Sequence, residues 1–132
     1  MVMEQILKAI DARDAEAFAD LLAPDCDFVA PGFTARGPSE AWGWMKAFLD
    51  GFPDIRHSIV SSVSSGSTEA LEIEIVGTHT EPLASPQGSI PATGRSMTIA
   101  AADFVETDSE GRVRSYRIYF DQMGFMAQLG LV

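Results

Sequence analysis

Cations are scarce in this chain. Lys8 and Lys46 are its only lysines, and nine Lys and Arg face nineteen Asp and Glu, a formal net charge of −10. Nucleic-acid affinity rests on clustered cations that displace counterions, so this balance excludes a nucleic-acid partner. By the same sign, docking on an anionic membrane surface is disfavoured. Cys26 is the only cysteine, which rules out an intrachain disulfide framework and suits a reducing compartment. The two histidines, His57 and His79, lack H-x-H or H-x-x-x-H spacing and give no basis for a zinc site. No G-x-S-x-G elbow, P-loop or G-x-G-x-x-G occurs, so serine-hydrolase and nucleotide-binding readings have no foothold. No apolar run reaches about eighteen residues. The opening MVMEQILKAIDARD carries Glu4 and Asp11, where a secretory signal needs a cationic start and an unbroken apolar stretch. A cytoplasmic protein without a membrane partner is expected.

What is present is globular. The 132 residues are 46% hydrophobic, which suits a single domain spanning 1–132 with its own core. Met3, Ile6, Leu7 and Ile10 recur at helical spacing, and Ala17, Phe18, Leu21 and Leu22 repeat the pattern. Pro24-Asp25 ends this helical pair, because proline disfavours helix at the residue before it. A short strand, Cys26–Ala30, follows and stops at Pro31-Gly32. A third helix fits Ser39–Asp50, with Trp42, Met45, Phe48 and Leu49 on one stripe. The second half reads as strands: Ile55–Val63, Leu71–Thr80, Met97–Glu106 and Val113–Phe120, with turns at 64–67 and 108–111. A Pro-, Gly- and Ser-rich connection, Glu81–Arg95, is long enough to be a flap. Gln122–Leu129 closes the chain as a short helix. Helices followed by antiparallel strands predict an α+β fold, a curved sheet with helices on one face.

Alternation then sorts the polar residues. Strand side chains alternate faces, so a polar residue in phase with apolar ones is expected to point inward. Leu71, Ile73, Ile75 and Gly77 carry His79 in phase; Met97, Ile99, Ala101 and Val105 carry Asp103; Ile55, Ile59 and Val63 carry His57. The last strand leaves two phases open: Val113, Tyr119 and Asp121, or Tyr116, Ile118 and Phe120. Small residues at Ala100–Ala102 leave room for a ligand. A carboxyl group buried in such a cavity is raised toward neutral pKa and suits general acid/base work. Each of these residues also has a plain structural role open to it. His79 and His57 fit as interior histidines, Asp103 as a backbone acceptor, Asp121 as the N-cap of the last helix, and Trp42 and Phe48 as core. Cys26 reads as core filler.

The segments DAEAFADLLAPDCDFVAPG, VGTHTEP, PATGRSMTI, AADFVE and GRVRSYRIYFDQMGF stand in an order and spacing that resemble SnoaL-like polyketide cyclases. These belong to the NTF2-like cone-shaped α+β barrels. The resemblance implies a conical cavity under a curved, mostly antiparallel sheet and N-terminal helices packed on its concave face. It implies cofactor-independent acid/base catalysis, an intramolecular aldol cyclisation or related isomerisation of a small hydrophobic carbonyl substrate. By the resemblance the acid/base is Asp121 in YFDQMG, and Asp103 stands where many cyclases carry a histidine. Asp103 or His79 would donate to a developing oxyanion, and Trp42, Phe52, His57, Met97 and Tyr119 would contact substrate. No metal or organic cofactor is implied. A homodimer is, through the outer face of the sheet at Thr78, Thr98 and Phe104. A non-catalytic small-ligand-binding or dimerisation module on the same fold is the alternative.

Overall fold

The computed structural model describes residues 1–132. Helix α1 (Val2–Asp11) turns through Ala12–Asp14 into α2 (Ala15–Leu21), whose first turn is capped by the Asp14 carboxylate on the Ala17 N–H. Strands β1 (Leu22–Ala30) and β2 (Phe33–Arg36) form a hairpin, followed by α3 (Pro38–Gly51). Then come β3 (Arg56–Ser65), β4 (Thr68–Thr78), a small hairpin of β5 (Leu83–Ser85) and β6 (Gly88–Ile90), β7 (Ser96–Thr107), β8 (Val113–Phe120) and α4 (Gln122–Gln128). Six strands make one sheet in the order β2-β1-β8-β7-β4-β3, antiparallel except for the parallel β1–β8 pair. The expected α+β architecture is thus present, with the apolar stripes of α1 and α3 packed on one face of the sheet.

Three details differ from the sequence pattern, each for a local reason. β1 begins at Leu22 and runs through Pro24, where the pattern puts the end of the helical pair, and so starts four residues before the expected Cys26. β2 pairs with β1 only from Asp27 onward, so the missing proline N–H leaves no ladder bond unmade there. The Glu81–Arg95 flap is partly ordered, because hairpin β5–β6 buries Leu83 against Gly51 at the end of α3. Val63, in phase with His57, is 70% exposed. A bulge explains it: Ile59 pairs with Ile73 but Ser61 with Glu72, so Val60 is an extra residue and the phase beyond it reverses.

A second bulge settles the last strand. Thr107 pairs with Val113 and Glu106 with Ser115, leaving Arg114 unpaired. Val113, Tyr116 and Ile118 therefore all point inward, and Tyr119 turns outward at 50% exposure. Two backbone anchors hold the helices to the sheet. Glu69 of β4 accepts the N–H groups of Val2 and Met3 at the start of α1 (3.1 and 3.2 Å), as a carboxylate at a helix N-terminus should. Gly37, at φ +86° and ψ 162°, starts α3 and donates its N–H to the Cys26 carbonyl at 2.8 Å. That backbone region is open essentially to glycine alone, and a Cβ there would lie 2.9 Å from the Pro24 carbonyl oxygen. Gly37→Ala is expected to cost at least about 2 kcal/mol, read as a lower midpoint of urea unfolding.

Candidate functional site

Between helices and sheet lies an apolar cavity of about 50 Å³. Ile10 closes it from α1, Trp44, Met45, Phe48 and Leu49 from α3, and Phe125 from α4; Ile55, Ile75, Met97, Ile99 and Phe120 supply the remaining apolar wall. Eleven of its twelve lining residues are hydrophobic, and the twelfth is His57.

His57 is held in place by a residue the sequence pattern did not single out. Asp11, the last residue of α1, places one carboxylate oxygen 2.6 Å from His57 Nδ1 and accepts the His57 backbone N–H on the other at 3.0 Å. A carboxylate accepts at this distance, so a proton sits on Nδ1. The negative end of the α1 dipole disfavours an acid in that last turn, and the two N–H donors of His57 offset the cost. His57 also borders an outer cleft formed by Glu4, Lys8, Asp11 and Ile59. It therefore touches both the apolar cavity and the solvent side.

The other expected residues fall elsewhere. Asp103 is buried, 4% exposed. It lies four residues along β7 from Ile99, roughly 13 Å at the usual strand rise, and is not among the residues that line the cavity. Tyr116 donates its hydroxyl to Asp103 at 3.4 Å. Burial pushes the Asp103 carboxyl up to about 7, with that hydrogen bond opposing the shift. Burial also raises the Tyr116 phenol, with the Asp103 carboxylate adding to it. Cys26 fills the core; burial first, then Asp27 and Asp25, push its thiol up to about 12, so it is not a nucleophile.

His79 is fully buried and stacked on Phe52 with ring centroids 5.1 Å apart. The Thr93 N–H donates to its Nδ1 at 3.3 Å and the Thr93 hydroxyl lies 3.0 Å away, so the proton sits on Nε2, which has no partner. Burial lowers its pKa, keeping the ring neutral. Its backbone also pairs with Gly94 and Arg95, fastening the flap to the end of β4. Of the residues expected to contact substrate, His57 and Met97 line the cavity. Phe52 sits behind it, against Phe125 at 5.8 Å.

Trp42 and Tyr119 are away from the cavity. Trp42 packs on Phe18 of α2 at 5.1 Å, and Trp44, two residues on, takes the cavity position. The helical period explains the exchange, because Trp44 and Phe48 are four apart and share a face. Tyr119 lies on the outer face against Phe104, at 6.1 Å. Asp121 is exposed, with its carboxylate accepting the Gly124 N–H at 2.8 Å as the N-cap of α4. Asp121→Ala is expected to cost about 1 kcal/mol, while Asp121→Asn, which keeps the cap, costs a few tenths at most; thermal unfolding of both variants reads the difference.

A curved six-stranded sheet with helices on its concave face and an apolar cavity between them defines an NTF2-like α+β cone. Solved structures share it. TsrD from Streptomyces laurentii is similar with a TM-score of 0.84 at 21% identity, covering 99% of this chain and 93% of that one. IdmH from Streptomyces antibioticus, a proposed polyketide cyclase, gives 0.81 at 22% identity over 98% of this chain and 96% of its own. A protein of ketosteroid isomerase-like fold from Catenulispora acidiphila, solved with trimethylamine, gives 0.80 at 18% identity, covering 99% and 93%. No curated protein matches the sequence. The family model of the SnoaL-like polyketide cyclases matches residues 1–129, and the chain belongs to that family. No helix is long and apolar enough to cross a membrane.

Proposed function

We propose that this protein is a cofactor-independent acid/base catalyst acting on a small hydrophobic carbonyl compound, by intramolecular aldol cyclisation or a related isomerisation. The observation that carries this reading is His57, the single polar residue on an apolar cavity wall, with its ring fixed by Asp11. Nε2 takes a proton from the carbon next to a carbonyl, and Asp11 stabilises the imidazolium that forms. Because His57 also borders the outer cleft, the proton has a route to solvent. The developing enolate needs a donor. His79 holds a buried Nε2–H with no partner behind Phe52 and Phe125, and it reaches an oxyanion only when those rings part. A buried unpaired donor costs free energy in the resting protein, and a water-poor site strengthens its bond to an oxyanion. Asp103, protonated over part of the neutral range, is a second acid, off the cavity wall.

Turnover is tested with neutral polycyclic β-dicarbonyl compounds in D₂O, by following exchange of the carbon-bound proton with NMR. Exchange above the buffer rate supports the reading. Its absence with every such compound favours the non-catalytic ligand-binding alternative, which the nearly unbroken apolar wall also suits. We further propose a homodimer through the outer face of the sheet, where Phe104 packs against Tyr119 and the Arg117 guanidinium lies 5.8 Å over the Phe104 ring. A monomer in sedimentation equilibrium at micromolar concentration would overturn that.

A further inference from the structure

The turn between α1 and α2 holds the one non-glycine residue of the chain with a positive φ, Arg13 at +56°. The backbone there follows a helix-ending motif. The Arg13 N–H donates to the Ile10 carbonyl at 3.0 Å and the Asp14 N–H to the Ala9 carbonyl at 2.9 Å. Glycine is the usual residue at that left-handed position, because a Cβ there crowds the following carbonyl oxygen. The motif itself gives no reason for an arginine, so the reason lies in the side chain.

That side chain holds two main-chain carbonyls. Nη1 donates to the Asp11 carbonyl, the last of α1, at 2.8 Å, and Nη2 donates to the Pro53 carbonyl at 2.7 Å. The second bond crosses 40 residues to the turn between α3 and β3. This turn is also fastened to the sheet. The Ile55 N–H donates to the Phe52 carbonyl at 2.9 Å, and the Asp54 carboxylate accepts the Thr78 N–H and hydroxyl at 2.7 and 2.9 Å. Asp11 stands two residues before Arg13, and His57 four residues after Pro53. One planar fork thus ties together the backbones of the two segments that carry the Asp11–His57 pair. Arg13 is exposed, and holding a long exposed side chain in one place opposes its rotamer freedom. A single ammonium lacks the rigid fork that does this.

We infer that Arg13 is a positioning residue for the Asp11–His57 pair: its guanidinium fixes the end of α1 against the turn ahead of β3, and so sets the Asp11 carboxylate on His57 Nδ1. Arg13 is not on the cavity wall and acts only through Asp11. Its effect on turnover rests on the chemistry proposed above; its effect on the geometry of the pair does not.

Arg13→Gly is the telling variant, because it supplies the residue that the left-handed turn favours and removes only the fork. The tautomer of neutral His57 is read by NMR, from the ring ¹⁵N shifts correlated with the carbon-bound ring protons. In the wild type the Nδ1–H form is expected to dominate. In Arg13→Gly its ratio to the Nε2–H form is expected to fall at least about tenfold, the weight of one hydrogen bond to a charged group. Carbon-proton exchange at saturating substrate is expected to slow at least about tenfold, with little change in KM. Arg13→Lys is expected to recover part of both losses. If circular dichroism shows that Arg13→Gly fails to fold, Arg13→Asn, also at ease in left-handed backbone, takes its place. Were Arg13 only a helix-ending residue, glycine would serve as well, so a tautomer ratio within about twofold of the wild type in a folded variant overturns the proposal. So does a wild type without a dominant Nδ1–H form. In an Asp11→Asn background Arg13→Gly is expected to slow exchange by less than about twofold further, and an undiminished loss there overturns the route through Asp11. Retained turnover in His57→Asn sinks the chemistry alone, and the tautomer ratio then still decides the role of Arg13.

Discussion

His57→Asn is expected to lower the rate of carbon-proton exchange by about 10²–10⁴-fold, the usual contribution of a positioned general base. The asparagine amide overlays the Nδ1 side of the ring, so it keeps a donor toward the Asp11 carboxylate and removes only Nε2. Folding should survive, because the 3.0 Å bond from the backbone N–H to Asp11 is untouched. Asp11→Asn makes the complementary change. Its amide N–H points at Nδ1, the imidazole proton moves to Nε2, and the lone pair proposed as the base is lost. A loss in Asp11→Asn similar to that in His57→Asn, with little further loss in the double variant, identifies a coupled pair. Independent, additive losses would show that Asp11 acts through folding alone. Asp121→Asn is the natural control, since it keeps the cap bond to Gly124.

The second large effect concerns stability. Asp103 titrates near 7 in the folded protein against an ordinary value of 3.8. Between those limits the folded state holds a proton that the unfolded state has released. Stability from this site is therefore fully present below about pH 4 and falls as pH rises through 7. At 1.36 kcal/mol per pKa unit the full swing is about 4 kcal/mol. Asp103→Asn keeps an oxygen for the Tyr116 hydroxyl and cannot ionise. It is expected to be more stable than the wild type at pH 8, by up to about 4 kcal/mol, and close to it at pH 4. The quantity to measure is the difference between the two urea-unfolding free energies as a function of pH, because the other titrating groups cancel in it. A difference that does not change with pH would mean that the Asp103 carboxylate is solvated or paired in the folded state.

Much of this was legible in the chain, and the exceptions share a cause. The strands carrying Asp103 and His79 kept the expected phase, because Met97, Ile99, Ala101 and Val105, and likewise Leu71 and Ile73, repeat every second residue without interruption. Phase was lost where a residue was added: Val60 in β3 and Arg114 in β8. Neither is a glycine or proline, so nothing in the local sequence marks the bulge. Val63 was misplaced for that reason, and in the last strand the added residue decides between the two phases left open. In α3 the apolar residues span more than one face, so composition alone does not separate Trp42, which packs on α2, from Trp44, which meets the cavity. Asp11 was missed for a different reason. A single acid at a helix end reads as a solvated group, and its partner lies 46 residues away at the start of another element. Burial alone was also insufficient: Asp103 is interior as expected, yet a cone has depth, and alternation says nothing about depth.

The tie between Glu69 and the first N–H groups of α1 has a practical side. The helix runs about 15 Å from that tie to Asp11, and helices of this length are stiff. Ile6 and Ile10 are pinned along the way by the core, so α1 behaves as a lever with Asp11 at its working tip. Anything that pulls Val2 and Met3 off Glu69 tilts the lever and moves the carboxylate against His57. A fusion partner or affinity tag joined directly ahead of Met1 would strain the position that the chemistry depends on. One attached after Val132, which is exposed, would leave it alone.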